Sequence, residues 1–164
     1  MNHDHSPTTD LLRAHLAKMP ADAREIVSAR LISAPREAVF AAFADPRCLA
    51  RWWGPNGFTN TFDEFDLRPG GKWHFTMHAP DGAAFRNESL FVTVEPGARI
   101  VFDHLEPVHG FRMTMLFAGQ DGKTCLIWRM LFDDVSECDR VKRFIVAANE
   151  QNFDRLEAQL AHSA

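Results

Sequence analysis

Residues 111–132 read FRMTMLFAGQDGKTCLIWRMLF, two apolar runs separated by a polar tripeptide with glycine. In its first half, apolar side chains recur at every second position, at Phe111, Met113, Met115 and Phe117. The second half has the same period at Leu126, Trp128 and Met130. A two-residue period is typical of β-strands with one face in a core. The tripeptide Gln-Asp-Gly at 120–122 is a turn signal, so the two strands are predicted to pair antiparallel.

The same pattern extends towards the N-terminus as far as residue 58. Turn signals rich in Pro, Gly and Asp lie at 69–71, 80–82, 96–97, 107–110 and 120–122. The apolar runs between and after them cover 72–78, 85–94, 99–105, 111–117 and 124–132. Consecutive strands with such short connections must be neighbours. The region therefore predicts an antiparallel meander of about six strands.

A helical period replaces the alternation near the C-terminus. Val141, Ile145, Ala148 and Leu156 fall on one face at helical spacing. Ser136, with Asp139 three residues later, has the pattern of an N-terminal capping box. The predicted helix runs from residue 136 to about 161 and is the longest element of the chain.

A strand and two short helices precede the meander. Residues 25–33 predict the strand, and residues 36–44 predict a helix with one apolar face. The second short helix carries Leu49, Trp52 and Trp53. The apolar face of the long helix needs a cover, and the concave face of the sheet is the surface large enough to provide it. We therefore predict an α+β fold in which a curved antiparallel sheet of about seven strands surrounds a long C-terminal helix.

Residues 1–24 are predicted to be an N-terminal extension, and residues 25–162 a single domain. Within the extension, Leu12, Leu16 and Met19 lie on one helical stripe. Thr9 or Asp10 is expected to cap this short helix. We expect the helix to pack on the domain from outside.

Composition argues against several classes of protein. The 164 residues include 18 Lys plus Arg against 22 Asp plus Glu without a basic stripe, so no nucleic-acid partner is expected. No run approaches the roughly 20 apolar residues of a membrane span, and we expect a cytoplasmic protein without a membrane partner. Cys48, Cys125 and Cys138 are too widely spaced for a paired zinc site or a disulfide framework. Since phosphate-loop, zinc and nucleophile motifs are also missing, neither a metal nor a cofactor is predicted.

Several stretches, in this order, resemble one protein family. They are APREAVFAAF at 34–43, WWGP at 52–55, RPGGKW at 68–73, PDG at 80–82, EP at 95–96 and FDRL at 153–156. Through them the chain resembles the activator-of-heat-shock-protein-90-ATPase-like family, within the START-related (SRPBCC, Bet v-like) helix-grip superfamily. The resemblance covers residue 25 to the C-terminus and implies a helix-grip domain with an apolar cavity.

The resemblance implies a cavity but not a reaction. Members of the superfamily include ligand carriers, cyclases, stress-related proteins and co-chaperone domains, and fold does not choose among them. The family's closing helix usually carries Trp where this chain has Asn149. This departure implies a different shape and polarity for one wall of the cavity.

The expected ligand-binding residues are those that strand alternation and helix periodicity direct inwards. They are Trp52, Trp53, Phe75, Met77, Glu88, His104, Met113, Met115, Trp128, Ile145 and Asn149. The chain has 14 Phe and no Tyr, which is consistent with a dry interior, and Met suits a pocket of irregular shape. The alternative is that these side chains simply fill the core.

Three members of this set are polar. His104 is expected to share a strand face with Ile100 and Phe102, and Glu88 with Val92 and Val94. Buried polar groups need partners, so these side chains are candidates to orient the polar end of a ligand or to act as an acid and base. The alternatives are a salt bridge for Glu88, with Arg86, Arg112 or Arg129, and a hydrogen-bonded core position for His104.

Three hypotheses of function follow. The first is the binding of a small hydrophobic or amphipathic molecule between the sheet and the C-terminal helix, in a stress-related role. The second is a co-chaperone-like interaction domain with a chaperone partner, which the shortness of the extension weakens. The third is a cavity-based enzyme, such as a cyclase or hydrolase. A homodimer is also expected, because Cys125, Ile127 and Leu131 make the outer register of the last strand apolar.

Overall fold

A single antiparallel sheet of seven strands frames the molecule. The structure, a computed structural model, describes residues 6–106 and 110–163. Its elements in chain order are α1 (Pro7–Lys18), β1 (Glu25–Ile32), α2 (Arg36–Ala44), α3 (Pro46–Trp52), β2 (Thr59–Phe65), β3 (Lys72–His78), β4 (Ala84–Glu95), β5 (Arg99–Glu106), β6 (Phe111–Gln120), β7 (Lys123–Phe132) and α4 (Val135–Ser163). The spatial order of the strands is β1-β7-β6-β5-β4-β3-β2. The predicted α+β meander is therefore confirmed, with β1 closing one side against β7.

The turns follow from the local sequence. Between β6 and β7, Asp121 has a φ of 51° and Gly122 a φ of 76°, the left-handed pair that twists a tight hairpin correctly. Before β3, a Cβ on Gly71 would lie 1.9 Å from the backbone oxygen of Asp66, so this close approach requires glycine. Of the turn predicted at 107–110, residues 107–109 lie outside the described residues.

Irregularities in β2, β4 and β5 interrupt the strand register. The pairing of β2 with β3 shifts at Phe62–Glu64. The pairing of β4 with β5 shifts twice, at Glu88–Ser89 and at Phe91–Thr93. Bulges of this kind bend a strand and increase its twist. They occur in the half of the sheet that lies opposite the β1–β7 pair.

The core lies between the sheet and the helices α2, α3 and α4. Phe43 of α2 packs edge-on against Trp52 of α3, with ring centroids 4.6 Å apart. Phe153 and Leu156 of α4 are fully buried. Towards the N-terminal end of α4, by contrast, Phe144 is 74% exposed. The long helix is therefore embedded mainly through its C-terminal half.

Arg30 of β1 ties the edge of the sheet to α4. Its guanidinium contacts carboxylates from three residues of that helix, Glu150 at 2.6 Å, Asp154 at 2.5 Å and Glu157 at 2.6 Å. The same guanidinium lies 5.5 Å from the ring centroid of Phe153. The side chain of Arg30 thus holds the two turns of α4 between residues 150 and 157 against the edge of the sheet.

The caps of two helices differ from the prediction. Ser6, rather than Thr9 or Asp10, caps α1, because its Oγ accepts a hydrogen bond from Thr9 N at 3.2 Å. Asp134 takes the place expected for Ser136 at the start of α4, since its Oδ1 accepts from Glu137 N at 2.8 Å. Both residues lie immediately before the first helical residue, where a side-chain acceptor reaches a free N–H.

Helix α1 packs against β1 and β7 on the outside of the sheet. Thr8 Oγ1 accepts a hydrogen bond from Leu31 N at 3.1 Å. Arg129 of β7 donates to the backbone oxygens of Met19 at 2.8 Å and Pro20 at 3.0 Å. The expectation that the extension packs on the domain from outside is thus met by direct hydrogen bonds.

The apolar outer register of β7 is covered within the chain. Cys125 is 1% exposed and Ile127 is 3% exposed, and both line a crevice of about 360 Å³ with Leu11 and Met19 of the extension. Leu131 is half-buried. The apolar surface that prompted the homodimer prediction is therefore largely accounted for by α1, and the homodimer itself stays a prediction.

Candidate functional site

A cavity of about 210 Å³ lies between the concave face of the sheet, the loop after α3 and α4. Its lining residues come from β3 to β7, from that loop and from α4. They are Trp53, Gly54, Pro55, Trp73, Phe75, Met77, Asn87, Ser89, Phe102, His104, Phe111, Met113, Trp128, Met130, Ile145, Ala148, Asn149 and Asn152. Aromatic and methionine side chains dominate, which is typical of a small-molecule site.

Three tryptophans form the aromatic wall of the cavity. The ring of Trp53 lies 5.2 Å from that of Trp73 and 5.4 Å from that of Trp128, centroid to centroid. Trp73 and Trp128 are 2% and 1% exposed, whereas Trp53 is half-buried. Contacts at these distances are favourable between aromatic rings. Trp53 therefore bridges the two sides of the cavity from a loop.

Two of these indoles have unused donors. Within the described residues, neither Trp73 Nε1 nor Trp128 Nε1 has a hydrogen-bond acceptor. The indole of Trp52, outside the cavity, instead donates to Ala42 O at 3.2 Å. A buried donor without an acceptor costs free energy of about 1–3 kcal/mol. Such groups in a native fold require an explanation.

A polar strip crosses β4 and β5 on the cavity side. Ser89 Oγ lies 3.5 Å from His104 Nδ1, and the imidazole stacks on Phe111 with centroids 4.7 Å apart. Asn87 Nδ2 donates to Phe85 O at 3.0 Å. These polar groups place hydrogen-bonding capacity beside an otherwise apolar space.

Asn149 brings a second polar group from the helix side. It is 8% exposed, and its Nδ2 donates to Ser28 Oγ at 3.1 Å and to Met130 Sδ at 3.6 Å. The side chain is therefore held by β1 and β7. A bulky aromatic ring at this position would occupy the space that the amide leaves to the cavity.

Helix α4 also positions the loop that carries Trp53. Asn152 Nδ2 donates to Trp52 O at 2.8 Å, and its Oδ1 accepts from Gly54 N at 3.2 Å. Gly54 has a φ of 100°, and a Cβ there would lie 2.6 Å from Met77 Cε. The backbone conformation thus requires glycine, and a larger residue would also displace the end of the Met77 side chain from the wall of the cavity.

Most of the predicted ligand-binding residues line this cavity. They are Trp53, Phe75, Met77, His104, Met113, Trp128, Ile145 and Asn149. Trp52 and Met115 lie elsewhere, each 1% exposed within the core. The alternation that places Met115 on the inner face is correct, but that position packs away from the cavity.

The placement of Glu88 on the inner face is wrong. Its side chain is 37% exposed and lies 3.5 Å from Arg86, whereas Asn87 and Ser89 on either side are buried. The register shift at Phe91–Thr93 inserts a residue, so alternation counted back from Val94 reaches the wrong face. Glu88 and His104 therefore lie on opposite faces and do not form an acid–base pair.

Carboxylate, ammonium and guanidinium groups are missing from the described lining of the cavity, in which His104 carries the single imidazole. Among the described residues that line the cavity, none is Asp, Glu, Lys or Arg. No group of three or more His, Cys, Asp or Glu that could hold a metal occurs within residues 6–106 and 110–163. Burial raises the pKa of the Cys48 and Cys125 thiols, which is the opposite of nucleophile activation.

A larger concavity of about 970 Å³ lies outside the core, between α2, α3 and the C-terminal end of α4. Its lining includes Ala41, Arg51 and Ala161, which are exposed. It is a groove on the surface of the protein.

No helix in the described residues is long and apolar enough to cross a membrane.

Known proteins match the chain through its domain. Among curated proteins, none matches it significantly. Solved structures share the fold: a protein from Arthrobacter aurescens has a TM-score of 0.79 at 23% identity, with 85% of this chain and 87% of the other covered. A protein from Rhodobacter sphaeroides has a TM-score of 0.79 at 22% identity, covering 87% and 95% of the two chains. The AHSA1 protein from Silicibacter pomeroyi has a TM-score of 0.68 at 20% identity, covering 85% and 99%.

A family model gives the stronger result. The model described as Activator of Hsp90 ATPase homolog 1-like protein matches residues 33–161. The match begins just after β1 and includes α2, the meander and most of α4. It thus spans most of the domain and every described residue that lines the cavity. The chain belongs to the Activator of Hsp90 ATPase homolog 1-like family.

Proposed function

We propose that the protein binds a small apolar or amphipathic molecule in the cavity between the sheet and α4. One observation carries the proposal: a largely apolar space of about 210 Å³, lined by aromatic and methionine side chains with a few polar groups among them. Sites of this composition are typical of ligand binding. Core packing alone leaves few voids larger than a water molecule.

The volume of the cavity limits the size of the ligand. A cavity of roughly 150 Å³ accepts benzene, so this one fits a compact molecule of about six to ten non-hydrogen atoms. Phe144, beside the cavity-lining Ile145, is exposed, which places this part of α4 at the boundary with solvent.

Native mass spectrometry of the freshly purified protein tests the proposal. We expect a bound small molecule that denaturing extraction releases. Ala148 lines the cavity and Ala147 beside it is exposed, so Ala148→Trp fills the space and Ala147→Trp is the matched control. The ligand should be absent from the first variant and retained by the second. Equal occupancy in both folded variants would place the ligand elsewhere.

A further inference from the structure

Asn149 presents an unused hydrogen-bond acceptor on the helix wall of the cavity. Its amide nitrogen has two hydrogens, and Nδ2 donates to Ser28 Oγ at 3.1 Å and to Met130 Sδ at 3.6 Å. Its oxygen, Oδ1, accepts no hydrogen bond from the described residues. Reversing the amide would set the oxygen against the thioether sulfur of Met130, which has no hydrogen to donate. The contacts of the nitrogen therefore determine which atom of the amide stays unpaired.

This oxygen is accessible, unlike the two unpaired indole N–H groups. The described side-chain atoms that are closed to solvent and lack a partner include Trp73 Nε1 and Trp128 Nε1 but not Asn149 Oδ1. The oxygen therefore keeps accessible surface, although the residue as a whole is only 8% exposed. Asn149 lies four residues after Ile145 and three before Asn152, on the stripe of α4 that lines the cavity. Its accessible surface thus faces the cavity.

The other amides of the lining restrict a ligand less. Asn152 already uses both its oxygen and its nitrogen on the backbone of the loop after α3. Asn87 donates through Nδ2 to Phe85 O and retains a second N–H, so it offers a ligand both a donor and an acceptor. Asn149, by contrast, offers an acceptor without a donor. A polar group beside it has to bring the hydrogen.

Charge narrows the class of that polar group. His104 is the one titratable side chain in the described lining of the cavity, where it lies beside Ser89 and stacks on Phe111. A cation would meet no carboxylate in this lining, and a protonated His104 would repel it. An anion could pair with a protonated His104 but has no hydrogen to give to Asn149. The group that faces the amide oxygen is therefore an uncharged donor.

A hydroxyl group is the smallest donor that meets these conditions. An amide N–H would bring a carbonyl oxygen that needs a donor of its own. The rest of the ligand lies against the aromatic and methionine side chains of a space of about 210 Å³, so it is apolar and compact.

We infer that the ligand is a compact, uncharged alcohol or phenol whose hydroxyl donates a hydrogen bond to Asn149 Oδ1. The inference rests on the proposed function and specifies its ligand class. It assigns Asn149 a role in selecting the ligand in addition to its contacts with β1 and β7.

Two isomers test the inference. p-Cresol carries a hydroxyl that donates, whereas anisole carries a methoxy oxygen that can only accept. We expect p-cresol to bind the unmodified protein roughly fivefold more tightly, as one hydrogen bond would give. In ¹³C-labelled protein, the Cγ resonance of Asn149 should move downfield with p-cresol but not with anisole. Benzylamine and benzoate, both charged at pH 7.5, should bind more weakly than p-cresol.

A conservative variant identifies the acceptor. Asn149→Leu removes the amide oxygen and keeps a side chain of similar size. In this variant the preference for p-cresol over anisole should disappear, whereas anisole should still bind. Asn56→Leu is the matched control, because Asn56 is exposed and does not line the cavity, and it should keep the fivefold preference. The comparison of the isomers and the Cγ shift in the unmodified protein remain decisive if Asn149→Leu does not fold.

Equal affinity for the two isomers would overturn the inference while leaving cavity binding intact. A preference for p-cresol that survives in folded Asn149→Leu would also overturn it, as would tighter binding of either charged probe or failure of every probe to bind. The proposed function is decided separately, by the co-purified molecule and the pair Ala148→Trp and Ala147→Trp.

Discussion

The guanidinium of Arg155 donates a hydrogen bond to the backbone oxygen of Trp53 at 3.1 Å. The same nitrogen, Nη1, also contacts the oxygens of Gly54 and Pro55, each at 3.0 Å. Nη2 reaches Arg51 O at 3.0 Å and Phe58 O at 2.9 Å. One side chain of α4 thus gathers five carbonyls of the segment that carries Trp53. The shape of the cavity therefore depends on a residue outside its lining.

Replacing Arg155 should loosen this segment. We expect Arg155→Met to lower the free energy of unfolding by about 2–4 kcal/mol, because several carbonyls lose a charged donor at once. Ligand affinity should fall as well, since Trp53 is no longer fixed. Urea unfolding and ligand titration measure the two effects.

Arg143→Met is the matched control for Arg155→Met. Arg143 is exposed on the same helix, so its loss should change stability by no more than about 0.5 kcal/mol. Arg155→Lys should recover part of the stability, because an ammonium can reach some of the carbonyls but cannot reproduce the planar fork. If Arg155→Met is as stable as the control, the five contacts do not hold the segment.

Periodic patterns were sufficient to predict most of the fold. The first short helix was expected at 36–44 and spans Arg36–Ala44, and the strand expected at 72–78 spans Lys72–His78. In both elements the apolar positions recur at a constant spacing, so each of them supports the same assignment.

Glu88 shows where prediction from periodicity fails. A bulge changes the face of every residue beyond it, and the alternating pattern does not reveal where the extra residue lies.

Long-range contacts explain the other differences. Asn87 and Ser89 were missed together with the bulge, and the unpaired indole groups could not be inferred without knowing their neighbours. The cover over Cys125 is supplied by α1, about 110 residues away in sequence, whose Leu11 and Met19 line the same crevice. Periodicity reports which face of an element is buried but not which element buries it.

The ion pair of Glu25 with Arg129 is predicted to stabilise the junction of β1, β7 and α1. It is bidentate, at 2.6 and 2.8 Å, and the side chains are only 10% and 7% exposed. Glu25→Gln leaves the buried guanidinium without its counter-charge. We expect the free energy of unfolding to fall by about 3–5 kcal/mol.

Asp103 and Arg112 offer a matched comparison. They form a bidentate pair of similar geometry, at 2.8 and 3.0 Å, but their side chains are 33% and 50% exposed. Because water screens this pair, Asp103→Asn should cost clearly less than Glu25→Gln in the same urea titration. Equal losses would mean that burial of the Glu25–Arg129 pair contributes nothing to its strength.

His15 makes the attachment of α1 sensitive to pH. Burial, followed by the positive charge of Arg129, lowers the pKa of His15 below its ordinary value of 6.5, while Glu25 opposes the shift. Arg129 Nη1 lies 3.0 Å from His15 Nε2, an arrangement that requires a neutral imidazole to accept the hydrogen bond. The unfolded chain therefore binds a proton more readily than the folded one, and stability should fall as pH drops below about 6.5.

His15→Gln should remove this part of the pH dependence. The amide oxygen can still accept from Arg129 but does not titrate. Urea midpoints at pH 7.5 and 5.5 should differ less in this variant than in the unmodified protein. Lys18→Gln, on the same helix, should leave the difference unchanged. A difference that persists in His15→Gln would show that other groups cause it.

Helix α1 is predicted to protect the thiol of Cys125. Burial raises the pKa of this thiol, and Leu11 and Met19 lie over the same crevice. In a Cys48→Ala, Cys138→Ala background, the remaining thiol should react slowly with a disulfide reagent. Leu11→Asp places a charge in the apolar contact and should detach α1. We expect the reaction to become faster by at least about tenfold, because the opening that limits it becomes easier.

Arg13→Asp is the matched control, since Arg13 is exposed on the same helix. In this variant the Cys125 thiol should react as slowly as in the parent Cys48→Ala, Cys138→Ala protein. Detachment of α1 also uncovers Ile127, so the Leu11→Asp variant should associate at high protein concentration in sizing chromatography, whereas the control should not. If Cys125 reacts equally fast in both variants, α1 does not protect the thiol. Contacts within the sheet alone would then account for the burial of the outer face of β7.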